Sequence, residues 1–297
     1  MTWERAEKDF FRYLKLERGL SANTLDAYSK DIAKLSKWAI EGGISVSSIQ
    51  LEQLREFLKT LKNLSPRSQA RLITSVKAFF RFLLYDESIT SDPTELLEAP
   101  RIGQKLPDYL SHGEVLQMIH AIDRSTDEGE RNRAILEVLY ASGLRVSELI
   151  QLRLTDIHAD RGFLRIIGKG DKERLVPIHA IALKALKLYI HQIRNHVDIQ
   201  KGEEDIVFLS KRGKRMARST VFTMIKNTAE KAGIRKSIGP HTFRHSFATA
   251  LVNNGADLRV VQQLLGHESI TTTEIYTHLN DTQLREAMDL HPWSDKA

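Results

Sequence analysis

The sequence predicts a mainly α-helical protein with one small β-sheet, divided into two domains. Three features carry that expectation. Apolar residues recur at helical spacing through most of the chain, two short β-rich runs at 163–167 and 174–178 flank a glycine-bearing turn, and a Pro- and Gly-containing stretch near residue 100 breaks the helical pattern. At 297 residues the chain is long enough for two domains of ordinary size.

The first element is an amphipathic helix over residues 2–19, with Trp3, Phe10, Phe11, Leu14 and Leu16 at helical spacing and Gly19 as its stop. Ser21 caps a second helix to about Ile40, ended by Gly42 and Gly43. A third helix spans about Leu51 to Leu61. The fourth starts at Ser65-Pro66, a cap followed by a proline in the first turn, and carries Ile73, Val76, Phe79, Phe80, Leu83 and Leu84 as its core face. Residues 1–98 thus read as a small all-helical domain and 99–110 as a linker. Residues 111–297 read as a second domain opened by Ser111, which caps the helix HGEVLQMIHAI. A longer helix follows at about Glu128 to Ala141, then a short one near Leu144–Leu149. Next come the hairpin around GKGDKE and helices at about 180–197, 219–232, 242–254, 257–265 and 270–278. Strands do not alternate with helices, so a parallel βαβ architecture is not expected.

Hydrophobic residues make up 41% of the chain and charged residues 28%, a globular balance. The formal net charge is +6, and both halves are mildly basic, which favours a polyanionic partner without identifying it. Cysteine is absent, so neither a disulfide framework nor thiolate chemistry is available. The N-terminus has no apolar core of a signal peptide and no run of about 18 apolar residues occurs; a cytoplasmic protein without membrane contact is expected.

The stretch from Pro240 to Tyr276 concentrates the residue types that hold a phosphate while a phenol attacks it. His241 and Arg244, three apart at a helix start, share a face. His267 follows the helix-stopping Gly266, and Tyr276 lies on a short helix after a Thr-rich segment. Upstream, Arg145 sits at a helix start after Ser142-Gly143, where a guanidinium can grip an anion or pair with the nearby Glu148. Lys169 lies between two glycines at a turn, placed to donate a proton or to remain solvated. Lys172 and Arg174 are plausible neighbours for DNA contact. His245 lies four residues after His241, so zinc held by His241, His245 and His267 is an alternative, weakened by the absence of an HExxH motif and of cysteine.

The runs ASGLRVSELIQL, GKGDKERLVP and HTFRHSFATALVNNGADLRVVQQLLGHESITTTEIYTHL together resemble the tyrosine recombinase (phage-integrase) family, and the overall organisation is similar to its bacterial XerC/XerD-like members. The resemblance implies a SAM-like core-binding domain followed by a catalytic domain, and DNA cleavage and rejoining without cofactor or metal. Arg145 and Arg244 would clamp the scissile phosphate, Tyr276 would attack it, and Lys169 would protonate the leaving oxygen. His241 would assist proton movement at the tyrosine, and His267 would hydrogen-bond the phosphate.

As partners the resemblance implies duplex DNA held in a clamp, a homo- or hetero-tetramer with a paralogous recombinase on two DNA sites, and a DNA translocase of the FtsK type. It implies resolution of chromosome or plasmid dimers at a dif-like site. The basic run Lys211-Arg212-Gly213-Lys214-Arg215 with Arg218 would touch phosphates, and Leu284, Met288 and Leu290 in the C-terminal segment would dock on a neighbouring subunit. Relaxation of supercoils in the manner of a type IB topoisomerase, and a DNA-binding protein that has lost catalysis, are the competing readings.

Overall fold

The computed structural model describes residues 1–100, 108–168, 172–266 and 281–294. The chain divides into two compact units, Met1–Lys105 and Leu106–Ala297.

The first unit holds α1 (Trp3–Leu16), α2 (Ala22–Glu41), α3 (Leu51–Thr60) and α4 (Pro66–Tyr85). Their starts follow the caps read from the sequence: the Ser21 and Ser65 side chains accept from the backbone N–H groups of Thr24 and Ser68. The amphipathic faces meet in one core that contains Phe10, Ile32, Leu35, Phe57, Phe79 and Phe80. Phe10 meets Phe79 edge-on at 5.3 Å, and the Trp3 Nε1 donates to the Ile44 carbonyl at 2.9 Å, tying the start of α1 to the turn after α2. Inside this apolar interior Asp31 is fully buried, and its carboxylate accepts from Arg71 Nη2 at 3.0 Å and Ser75 Oγ at 2.9 Å, joining α2 to α4.

The second unit contains α5 (His112–His120), α6 (Asp127–Ser142), α7 (Val146–Gln151), α8 (Ala180–Gln192), α9 (Arg218–Lys231), α10 (Pro240–Asn253), α11 (Leu258–Leu265) and α12 (Asp281–Asp289). The second half of α6, from Ala134 to Ser142, is buried all round and packs on α8 and α10; its residues are apolar or aromatic apart from Ser142 and Glu137, whose carboxylate accepts from Arg133 Nε at 2.7 Å. The sheet has three antiparallel strands in the order β1 (Ile157–His158), β2 (Phe163–Ile167), β3 (Glu173–Pro177), with Leu164 opposite Val176 and Ile166 opposite Arg174. Leu164, Ile166 and Val176 face the core.

The mainly helical fold with a small sheet agrees with the sequence-based expectation. Two details differ. β1 was not anticipated, because two residues carry no readable alternation. The helix expected over 180–197 ends at Gln192 and gives way to a single 3-10 turn at Arg194–His196, where the Arg194 Nε donates to the Ile206 carbonyl at 2.7 Å. The helix expected at 270–278 lies outside the described residues.

The C-terminal segment was expected to reach a neighbouring subunit. Within the single chain Leu284 and Met288 of α12 are buried in one apolar cluster with Phe247, Leu251, Val261 and Leu264, while Leu290 is exposed. Arg285 donates to the Arg161 carbonyl at 2.8 Å and lies 4.8 Å from the centre of the Phe163 ring, so polar contacts fasten the same helix.

Candidate active site

Arg145 is placed by the break between two helices. Gly143 ends α6 in the left-handed conformation (φ 59°), and a Cβ at that position would come within 2.4 Å of the Phe247 ring, so only glycine allows this close crossing. Arg145 then occupies the N-cap of α7 with extended backbone, and its own N–H donates to Glu148 Oε2 at 2.8 Å, half of a capping box. Its Nη1 donates to Glu148 Oε1 at 2.9 Å and its Nη2 to the Gly266 carbonyl at 2.9 Å. The ion pair with Glu148 weighed from the sequence is therefore present, and it orients the guanidinium.

Arg244 projects from the first turns of α10, which starts at Pro240, where the missing N–H is of no consequence. Its side chain is buried. Nη1 donates to the Gly143 carbonyl at 2.8 Å and Nη2 to the Leu265 carbonyl. Burial pushes the Arg244 guanidinium down to about 10; the charges of Arg145 and Arg174 add to the shift and Glu148 opposes it. It remains protonated at neutral pH.

A third arginine joins them. Arg174 on β3 donates Nη1 and Nη2 to the two oxygens of Glu148 at 3.0 and 2.9 Å, and Nε to the Leu264 carbonyl at 3.1 Å. Three guanidiniums thus take three successive carbonyls, Leu264, Leu265 and Gly266, at the end of α11. Those carbonyls have no partner within the helix and sit at its negative end, which explains why the cations gather there. Glu148 answers this excess of positive charge. Burial raises its pKa, but the hydrogen bonds and charge of Arg174, followed by the hydrogen bonds from Arg145, outweigh burial and hold the carboxyl below its ordinary range. Three arginines against one carboxylate leave a positively charged site suited to an anion.

His241 is exposed, one turn before Arg244 on the same helix. Lys169, His267 and Tyr276 lie outside the described residues; the residues directly before the first two, Gly168 and Gly266, are described. Among the described residues no group of three or more His, Asp or Glu could hold a metal ion. The expected DNA contact by Arg174 does not match its placement, since its donors point inward to Glu148 and Leu264. Sequence reading also missed Glu148 as a shared acceptor, although its spacing after Arg145 is that of a capping box. In the basic run, Lys211 pairs with Glu128 at 3.4 Å and Arg215 with Glu203 at 2.9 Å, while Arg212, Lys214 and Arg218 are exposed.

Comparison with known proteins bears directly on this arrangement. The pattern of the phage integrase family matches residues 108–283, and that of the phage integrase N-terminal SAM-like domain matches residues 8–87. The chain belongs to the phage integrase family. It is 41% identical over 289 residues to the tyrosine recombinase XerD of Staphylococcus aureus (strain Mu50 / ATCC 700699), covering 96% of this chain and 98% of the relative. A solved structure of the XerH site-specific recombinase in a post-cleavage complex with a palindromic difH substrate is 25% identical, covers 95% of this chain and 84% of that one, and superposes with a TM-score of 0.73. A lambda integrase dimer on a core site, at 19% identity and a TM-score of 0.69 over 91% of this chain and 96% of that one, shares the fold. This phage integrase is a tyrosine recombinase, an enzyme that cleaves and rejoins DNA strands, with a SAM-like N-terminal domain and a C-terminal catalytic domain. Among its described residues no helix is long and apolar enough to cross a membrane.

Proposed function

We propose that this recombinase acts at a dif-like site on duplex DNA and resolves chromosome or plasmid dimers during cell division, as part of a tetramer that bridges two sites. The observation that carries the chemical part is the approach of Arg145 and Arg244 to neighbouring carbonyls, Gly266 and Leu265, from two different helices. A phosphate entering beside them would meet two guanidiniums in a partly desolvated setting, where charge stabilisation of a pentacoordinate transition state is strong.

The roles are those that the family resemblance implies for these residues. The Tyr276 oxygen attacks phosphorus, a phosphotyrosyl bond forms, and the bond to the 5′ oxygen breaks. Lys169 gives that oxygen its proton, His241 assists departure of the tyrosine proton, and His267 hydrogen-bonds the phosphate. The new ester keeps the energy of the broken bond, so a 5′-hydroxyl from a second strand can reverse the step without ATP or a metal. Residues 1–98 would serve as the core-binding domain, 99–110 as the linker and 111–297 as the catalytic domain. Arg212, Lys214 and Arg218, exposed beside the paired Lys211 and Arg215, are suited to backbone phosphates. A paralogous recombinase and a translocase of the FtsK type would complete the assembly in the cytoplasm, and the likeness to relatives named XerD favours that branch.

The test is a suicide substrate carrying a dif-like site. The protein should form a covalent adduct that survives denaturation, and Tyr276→Phe should bind the duplex but form none. A two-site plasmid should recombine. Relaxation of a supercoiled plasmid without recombination would sink the site-specific reading in favour of a topoisomerase-like activity.

A further inference from the structure

We propose that Arg174 is a positioning residue for strand cleavage, holding Arg145 and the two turns that lead into Lys169 and His267 in one arrangement. This rests on the reading of those three residues given above.

The side chain of Arg174 is only 15% exposed and three of its five N–H groups are committed: two in a parallel fork to Glu148, one to the Leu264 carbonyl. That rules against a primary role as a phosphate contact. What it touches instead is informative. A Cβ on Gly266 would stand 3.2 Å from Arg174 Cζ, Nε and Nη1, and a Cβ on Gly168 would stand 3.6 Å from Nη1. The same guanidinium therefore packs against the residue before His267 and the residue before Lys169. Gly168 in turn closes the hairpin by donating to the Lys172 carbonyl at 2.8 Å. Through Glu148 Oε1, which accepts from both Arg174 and Arg145, it is also one atom away from the guanidinium of Arg145. One planar group thus joins the end of β2, the start of α7 and the end of α11.

Electrostatics add a second effect. A Glu148 carboxylate shared with Arg174 neutralises Arg145 less than one held by Arg145 alone, so Arg174 keeps the clamp cationic toward a phosphate. Lysine cannot replace it: an ammonium is a point charge without the rigid fork that satisfies both carboxylate oxygens and a carbonyl together.

The test compares full-length parent, Arg174→Lys and Arg174→Gln on a duplex suicide substrate carrying a dif-like site, below the melting temperature of each protein. Target affinity is read by mobility shift and adduct formation by single-turnover kinetics, from mildly acid to mildly alkaline pH. Both variants should bind the duplex as the parent does, while adduct formation falls on the order of 10²-fold, the scale of a small displacement of reacting groups. In Arg174→Gln the loss should deepen toward acid pH, because Glu148 without its fork takes up a proton more readily; a merely structural role would not move that profile. If Arg174→Gln does not fold, Arg174→Lys, which keeps the charge, carries the test. Parental adduct rates in the folded variants overturn the proposal. So does a rate loss matched by an equal loss of DNA affinity with a weaker salt dependence, which marks a direct phosphate contact. Absence of any adduct from the parent is a different result: it removes the recombinase reading and this role with it.

Discussion

Arg145 and Arg244 donate to adjacent carbonyls, Gly266 and Leu265, although they start from the N-cap of α7 and the first turns of α10. The end of α11 is thus the common reference point for both guanidiniums. Arg244 also closes on the Gly143 carbonyl, so it binds the break after α6 to the end of α11. Replacing it by lysine keeps the charge but cannot satisfy both buried carbonyls. Arg244→Lys should lower the rate of covalent adduct formation by about 10²- to 10³-fold, with stability reduced by about 1–3 kcal/mol. Single-turnover cleavage and thermal melting read the two effects separately, and a parental cleavage rate would remove Arg244 from the clamp.

Glu148 is buried and accepts from Arg145 and Arg174 at both oxygens. Glutamine presents an NH2 where a guanidinium now donates, and it leaves the partly exposed Arg145 and the largely covered Arg174 without their shared counter-charge. Glu148→Gln should destabilise the catalytic unit by about 3 kcal/mol. It should also slow cleavage, because Arg145 loses its orientation. Chemical denaturation of the full chain checks the first expectation; an unchanged midpoint would mean that water replaces the carboxylate without cost.

Gly143 offers a purely steric test. Its positive φ and the Phe247 ring 2.4 Å from an added Cβ both oppose any side chain. Gly143→Ala should cost about 2–4 kcal/mol from the left-handed strain and the displaced ring together. It should also disturb Arg145 two residues later. Melting and cleavage measured on the same preparation would reveal both; a neutral effect would show that α6 can end in another way.

Much of this was legible beforehand because helix ends carry local chemistry. Ser21, Ser65-Pro66 and Ser111 mark starts, Gly143 and Gly266 mark stops, and each signal acts within a few residues. Arg145 and Arg244 could be named because their family motifs are distinctive. The inward turn of Arg174 could not, since its partners Glu148 and Leu264 are distant in sequence and only the folded chain brings them together. The packing of α12 on its own chain was equally hidden: an amphipathic pattern states that one face must be covered, not by which surface. β1 escaped because a two-residue strand is defined by its partner Phe163-Leu164, not by its own residues.

In the N-terminal unit Asp31 tests how a buried charge is supported. Its carboxylate is fully buried, but Arg71 is half-exposed and can turn to water if the pair is broken, and Ser75 Oγ retains the Arg71 carbonyl at 3.2 Å. The loss in Asp31→Ala should therefore stay near 1–2 kcal/mol, below that of a fully enclosed pair. Calorimetry of the full-length protein should place the change in the transition of the helical N-terminal unit. A loss several times larger would mean that Arg71 cannot reach solvent.

His291, just after α12, lies against Tyr140 at 4.7 Å, His179 at 4.9 Å, Phe247 at 5.6 Å and Trp293 at 6.2 Å, and its Nδ1 accepts from the Trp293 N–H at 3.2 Å. Burial, followed by the charges of His179 and His112, pushes its pKa down to about 2, and burial also lowers that of His112. A histidine depressed in the folded state is protonated first in the unfolded chain. Its stabilising contribution is thus complete above the ordinary value near 6.5 and is lost as pH falls from there toward the folded value. The slope is at most about 1.4 kcal/mol per pH unit for one such group. Carboxylates with lowered values, such as Glu148 and Glu114, act the same way only in a more acid range. The melting temperature of the catalytic unit should therefore fall as pH drops below about 6.5, before most carboxylates titrate. His291→Phe, which retains an aromatic ring but cannot take up a proton, should show a shallower decline than the parent over the same interval. Equal slopes in the two proteins would mean that His291 is already solvated in the native state and that its aromatic surroundings do not exclude the charged form.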